Sequence, residues 1–120
     1  MNDIEEIFND LKNYIDKIKN DALNSGKKDE ASSYISYTGM IFDEISNSLK
    51  KGKPVDIYTI SEDLGNELKL KLAGLNSILD LPSSANMLSE KLDALSLYCN
   101  DAFMELMAGD SCAIPESYKN

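Results

Sequence analysis

Apolar positions recur at three- and four-residue steps through most of the chain, a spacing that predicts helices. Ile4, Ile7, Phe8, Leu11, Tyr14, Ile15, Ile18 and Ala22 line one face of a helix over residues 3–23. Glu5, Glu6, Asp10, Lys12, Asp16, Lys17 and Lys19 fall largely on the other faces. The acidic residues crowd the first turn, where the helix dipole favours them. "NSGKKDE" ends this helix, with Gly26 free to take a positive-φ turn. A second helix is expected from about Glu30 to Leu49, with Ala31, Tyr34, Ile35, Thr38, Ile41, Phe42, Ile45 and Leu49 on its face. Gly39 in its middle costs roughly 1 kcal/mol relative to alanine. In "KKGKP", Gly52 supplies the cap and Pro54 biases Lys53 towards extended backbone.

The stretch "PVDIYTISEDL" then makes a corner. Val55 is an extended, apolar anchor, and Asp56 is suited to cap a helix by accepting from its free backbone N–H groups. Thr59 stands three residues on, where a capping box has Glu or Gln. Ile57, Ile60 and Leu64 face inward from a short helix that Gly65 and Asn66 stop. In "ELKLKLAGLNSILDL", Leu68, Leu70 and Leu72 alternate as in a strand, whereas Leu75, Ile78 and Leu79 have helical spacing. A lone strand has no partner in a helical chain, so a turn followed by a helix near 72–81 is expected. Pro82 and Ser83 open the last helix, capped by Ser83 or Ser84 and running to about Met107. The expected architecture is all-α: one domain over residues 1–107, a small bundle of four main helices plus a short one, then a tail over 108–120.

The last helix carries more apolar surface than one core needs. Leu88, Leu92, Leu95, Cys99, Ala102, Phe103 and Leu106 form its main stripe, while Met87, Ala94, Leu97, Tyr98 and Met104 spread beyond it. Either the helix is central and covered on two sides, or its outer side contacts another chain, a second copy included. Aromatic residues and methionine are common interface anchors. The candidate partner-binding residues are therefore Tyr58 and Glu62 on the short helix, and Met87, Lys91, Tyr98 and Met104 on the last. Their plainer readings are a partly exposed edge residue for Tyr58 and core filling for the methionines.

Composition narrows the chemistry. With 120 residues, 42% of them hydrophobic, the chain suits one domain with a real core. No apolar run approaches the roughly 18 residues that cross a bilayer. Asp3, Glu5 and Glu6 do not fit the basic start of a signal peptide. A soluble, cytoplasmic protein without membrane contact is the expectation.

The formal charge is −9, and all 12 basic residues are lysines, with no Arg, His, Gln or Trp. Without arginine there is no bidentate fork for guanine or phosphate, and net negative charge repels a nucleic-acid backbone. Direct nucleic-acid binding is therefore not expected.

Without histidine the commonest general base is missing, and a Ser–His or Cys–His nucleophile has no base. Glu5/Glu6, Asp43/Glu44 and Glu62/Asp63 are sequence neighbours that do not converge on one helix face. They read as solvated charges. Lys50, Lys51 and Lys53 read as a surface turn before a phosphate site. Cys99 falls on the apolar stripe and Cys112 in the tail, a pair that makes no zinc site. No catalytic residue, metal or cofactor is expected.

Three stretches taken in order carry a resemblance: "MIFDEISNSLKKGKPVDIYTISEDL", then "LAGLNSILDL", then "PSSANML". Over residues 34–100 the chain resembles the N-terminal domain of bacterial replicative helicases of the DnaB type. The strongest part of the match is Pro54, Val55, Asp56, Thr59, Glu62 and Leu64. The connection before Pro82 is shorter than in that family, and the first 30 residues lack its usual opening. The chain also has no "GxxxxGK[ST]" phosphate loop for a helicase motor.

In the family this domain forms part of a collar and contacts primase and other replication proteins. The resemblance thus implies a non-enzymatic accessory or inhibitor protein of replication. It would bind the host replicative helicase or primase by imitating the collar, as a free-standing relative from a phage or mobile element; the same resemblance also fits a structural fragment of a longer helicase. The alternative, from charge alone, is an acidic immunity or anti-defence protein that blocks a basic surface on a toxin or nuclease.

Overall fold

The computed structural model describes residues 3–76 and 85–109. Among these the regular structure is entirely helical: α1 (Asp3–Ser25), α2 (Lys28–Lys50), α3 (Ile57–Ile60), α4 (Asn66–Ala73) and α5 (Ala85–Gly109). The expected all-α architecture is therefore found. The sites of Pro82, Ser83, Ser84, Cys112 and the 110–120 segment lie outside the described residues.

The punctuation follows backbone chemistry. Gly26 and Gly52 both take positive φ, +78° and +68°, which side-chain-bearing residues rarely adopt. They turn the chain after α1 and α2. At the corner, Asp56 is extended and its carboxylate accepts from the Tyr58 backbone N–H at 3.0 Å and from the Thr59 hydroxyl at 2.9 Å. Threonine thus closes the cap from its own side chain, in place of the reciprocal Glu of a capping box.

One expectation is corrected. Residues 66–71 are helix rather than turn, because Gly65, extended at φ −60° and ψ 154°, starts α4 well before Leu72. Leu68, Leu72 and Leu75 then fall on one side and are fully buried, while Leu70 points out and is 70% exposed. The apparent alternation of leucines hid an i, i+4, i+7 stripe.

Three long helices form the frame. α1 and α5 run parallel, as the pairs Glu5–Lys91 and Lys19–Glu105 show at 2.7 and 2.9 Å. α2 runs antiparallel to α5: Gly39 meets Cys99, and nearer the α2 C-terminus the Ser46 hydroxyl, 3.2 Å from the Ser89 carbonyl oxygen, donates to Asp93 at 2.6 Å. The space between the frame helices is filled by Leu11, Ile15, Ile35, Phe42, Ile45, Leu88, Leu92 and Leu106, all fully buried. Each such side chain contributes roughly 1.5–3 kcal/mol by leaving water.

The α3–α4 corner covers a further side of this frame. Ile57 and Leu64 enter the core, and the Gly65 N–H donates to the Tyr34 hydroxyl at 3.2 Å. α4 lies along α1 with Lys71 over the Tyr14 ring and Gly74 near Ile7. Burial first, then Tyr34 and Glu67, raise the Tyr14 phenol's pKa.

Candidate partner-binding surface

The six candidate residues fall at four places, Met87 and Met104 standing about 25 Å apart along α5. Tyr58 and Glu62 stand on the outside of the corner, Tyr58 at 54% exposure, while their neighbours Ile57 and Leu64 are buried. Beside them a concavity of about 590 Å³ runs along α2, from Tyr37 past Met40 and Asp43 to Lys51 and Lys53, with Ile41 and Ile60 among its apolar lining. The Tyr37 hydroxyl donates to Asp63 at 3.4 Å. Partial desolvation first, and then the charges of Asp63, Glu44 and Glu62, raise the Tyr37 pKa. Asp63, Glu44 and Glu62 thus gather about Tyr37, while Lys51 and Lys53 line the same concavity.

Lys91 and Tyr98 come together in a groove of about 190 Å³ between α1 and α5, with Phe8, Asn9 and Lys12. Their polar ends are already engaged. Lys91 pairs with Glu5 and lies 5.8 Å from the Phe8 ring centre. Tyr98 donates to Asp16 and carries the Lys12 ammonium 5.0 Å above its ring. Burial, followed by that carboxylate, pushes the Tyr98 pKa up to about 12. These two residues fasten α1 to α5, an internal role that sequence spacing does not show.

Met87 and Met104 are solvent-facing, at 41% and 58% exposure. At about 100° per residue, Met104 lies about 120° around α5 from Tyr98, on a different side of the helix. It shares its side with Leu97, 67% exposed. Core filling is thus excluded for Met87 and Met104. On α2, Met40 is 63% exposed and lines both the large concavity and a cleft against α5 formed with Ser96, Cys99, Asn100 and Phe103. Met40 and Leu97 were not among the six candidates. The detectable signal was their position off the core stripe of each helix.

The remaining chemistry is structural. Cys99 is buried and its thiol is pushed up to about 12, by burial first and then by Asp43, which leaves almost no thiolate at neutral pH. Lys50 is held by Asp93 at 2.8 Å, apart from Lys51 and Lys53 at the concavity. Among the described residues no Cys, Asp and Glu groups gather in a metal-holding cluster, and no helix is long and apolar enough to cross a membrane. No protein-family model, curated protein or solved structure matches the chain.

Proposed function

We propose that the protein is a non-enzymatic binding module of the replication machinery. It engages the host replicative helicase or primase in the manner of the helicase collar domain, and so inhibits or redirects the replisome. The resemblance of Pro54–Leu64 and the two following stretches to the collar domain supports the choice of partner. The observation that supports a protein partner is the set of large apolar side chains, Leu97, Met104 and Met40, left open on helices whose other sides are packed. Leaving such groups in water forgoes the stabilisation that burial against a partner supplies.

Calorimetric titration against the host helicase, and separately against the helicase-binding domain of its primase, tests this reading. Binding to either, weakened by Met104→Ala, is the expected result. Tyr98→Ala is the poorer variant, because it also loosens α1 from α5. No heat with either protein, under conditions where those two bind one another, removes the replisome from the proposal.

One observation favours the second reading, an acidic protein that blocks a basic surface on a toxin or nuclease. Glu44, Glu62 and Asp63 lie close enough to act together on Tyr37. A charge-driven blocker loses on-rate steeply as salt rises, whereas an apolar collar-type contact loses little.

A further inference from the structure

The four methionines among the described residues, Met40, Met87, Met104 and Met107, are all exposed, at 41–63%. Three of them border one surface. Met40 faces Asn100 across the α2–α5 cleft, and Met104 and Met107 follow Asn100 on α5 at one and two turns, with Leu97 one turn before it. Methionine is unbranched and adaptable, and its exposure in a group is characteristic of surfaces that accept helices.

Among the residues lining the cleft the one charged side chain is a carboxylate, and Lys51 and Lys53 stand about three turns or more along the chain from Met40. Asp43 lines the cleft from α2, and Asp101 follows Asn100 on α5. Neither forms an ion pair among the described residues. The single lysine on α5, Lys91, is turned to α1, where Glu5 holds it, and Lys50 of α2 is held by Asp93. A second copy of the chain would set carboxylates against carboxylates, in a protein already carrying a formal charge of −9.

We infer that the α2–α5 surface around Met40, Leu97 and Met104 is the docking site for a basic amphipathic helix of a partner protein. The helix lays its apolar side on the methionines and Leu97, and its lysines or arginines reach Asp43 and Asp101. This rests on the reading that the protein binds another protein, but not on which one.

The probe is a fluorescent synthetic helix with leucine on one face and lysine on the other, beside a twin carrying glutamate in place of lysine. Binding is read by anisotropy at two salt concentrations, and its location by NMR of the methionine methyl groups. The lysine helix is expected to bind and the glutamate twin to fail, with the Met40, Met104 and Met107 signals shifting. Leu97→Asp and Asp101→Lys should each weaken the lysine helix by about tenfold. Glu6→Gln, on the exposed side of α1, should leave it unchanged.

Equal binding of both helices, or binding of the lysine helix that ignores Leu97→Asp and shifts other methyl groups, overturns the proposal. So does concentration-dependent dimerisation abolished by Leu97→Asp, which would give the surface to a second copy. Because Leu97 and Asp101 are exposed, circular dichroism should report an intact helical fold in both variants. If the helicase and primase titrations fail while the lysine helix binds here, the docking site stands and only the replisome reading falls.

Discussion

Gly39 of α2 sits so close to Cys99 of α5 that a Cβ built on the glycine would lie 3.1 Å from the Cys99 Cβ. The neighbour cannot swing away, because a Cβ moves only with its own backbone. Helix propensity alone favours alanine at position 39 by roughly 1 kcal/mol. Overpacking at this close approach outweighs that gain. Gly39→Ala is expected to destabilise the protein by about 1–2 kcal/mol net, read as a lower urea midpoint with unchanged slope. A rise in the midpoint would show that the helices separate at little cost.

Asp56 satisfies two donors at the start of α3, the Tyr58 N–H and the Thr59 hydroxyl. Asp56→Ala should cost about 1 kcal/mol, and Asp56→Asn should recover most of it, since an amide oxygen still accepts. Urea denaturation of the three proteins side by side checks this. Because Ile57 and Leu64 hang on the same corner, the alanine variant should also exchange the amide protons of residues 57–61 faster.

Asp93 is held below the ordinary carboxylate range by its hydrogen bonds from Lys50 and Ser46, opposed in part by burial. A depressed folded-state pKa stabilises the fold above the unfolded value of 3.8 and loses that contribution as pH falls through the lower folded value. Wild type should therefore exceed Asp93→Asn in stability at neutral pH, and the difference should close in acid. The side chain is 42% exposed, so solvent screening keeps the difference modest. A gap that persisted in acid would assign it to the Ser46 hydrogen bond alone.

Tyr98 ionises late, at about 12, because burial and the Asp16 carboxylate oppose a phenolate. Its raised folded-state pKa stabilises the fold fully below the ordinary phenol value of 10.0 and loses that contribution as pH rises through about 12. Alkaline titration followed by ultraviolet absorbance should show the late ionisation smaller by one tyrosine in Tyr98→Phe, with Tyr14, also raised, still ionising late. A late ionisation of unchanged amplitude would place the perturbed phenol elsewhere.

Cys99 is 1% exposed and should resist a thiol reagent until the chain unfolds. In a Cys112→Ser background, labelling should track the unfolding rate measured by circular dichroism. Rapid labelling of the folded protein would mean that α2 and α5 open locally at Gly39.

The helices, their glycine turns and the Asp56 cap were legible in the sequence, because each depends on residues within a turn or two of one another. Ile4 to Ala22, and Ala31 to Leu49, display their faces by spacing alone. The Asp56 carboxylate needs only the chain that follows it. The start of α4 was not legible, because Leu68, Leu70 and Leu72 fit two periods until burial separates Leu70 from the other two.

Nor could spacing show which polar side chains are spent inside the molecule. Lys91 and Tyr98 lie on α5 with the look of partner-facing residues, but Glu5 and Asp16 reach them from more than eighty residues away. Gly39 read as a local weakness of α2 until the approach of Cys99 gave its small size a use. The sequence by itself determined where helices form and which stripe of each is apolar, since those are short-range properties of the backbone and of hydrophobicity. Only the tertiary structure decided which apolar residues remain uncovered, because that depends on how three long helices and one corner share a limited amount of surface.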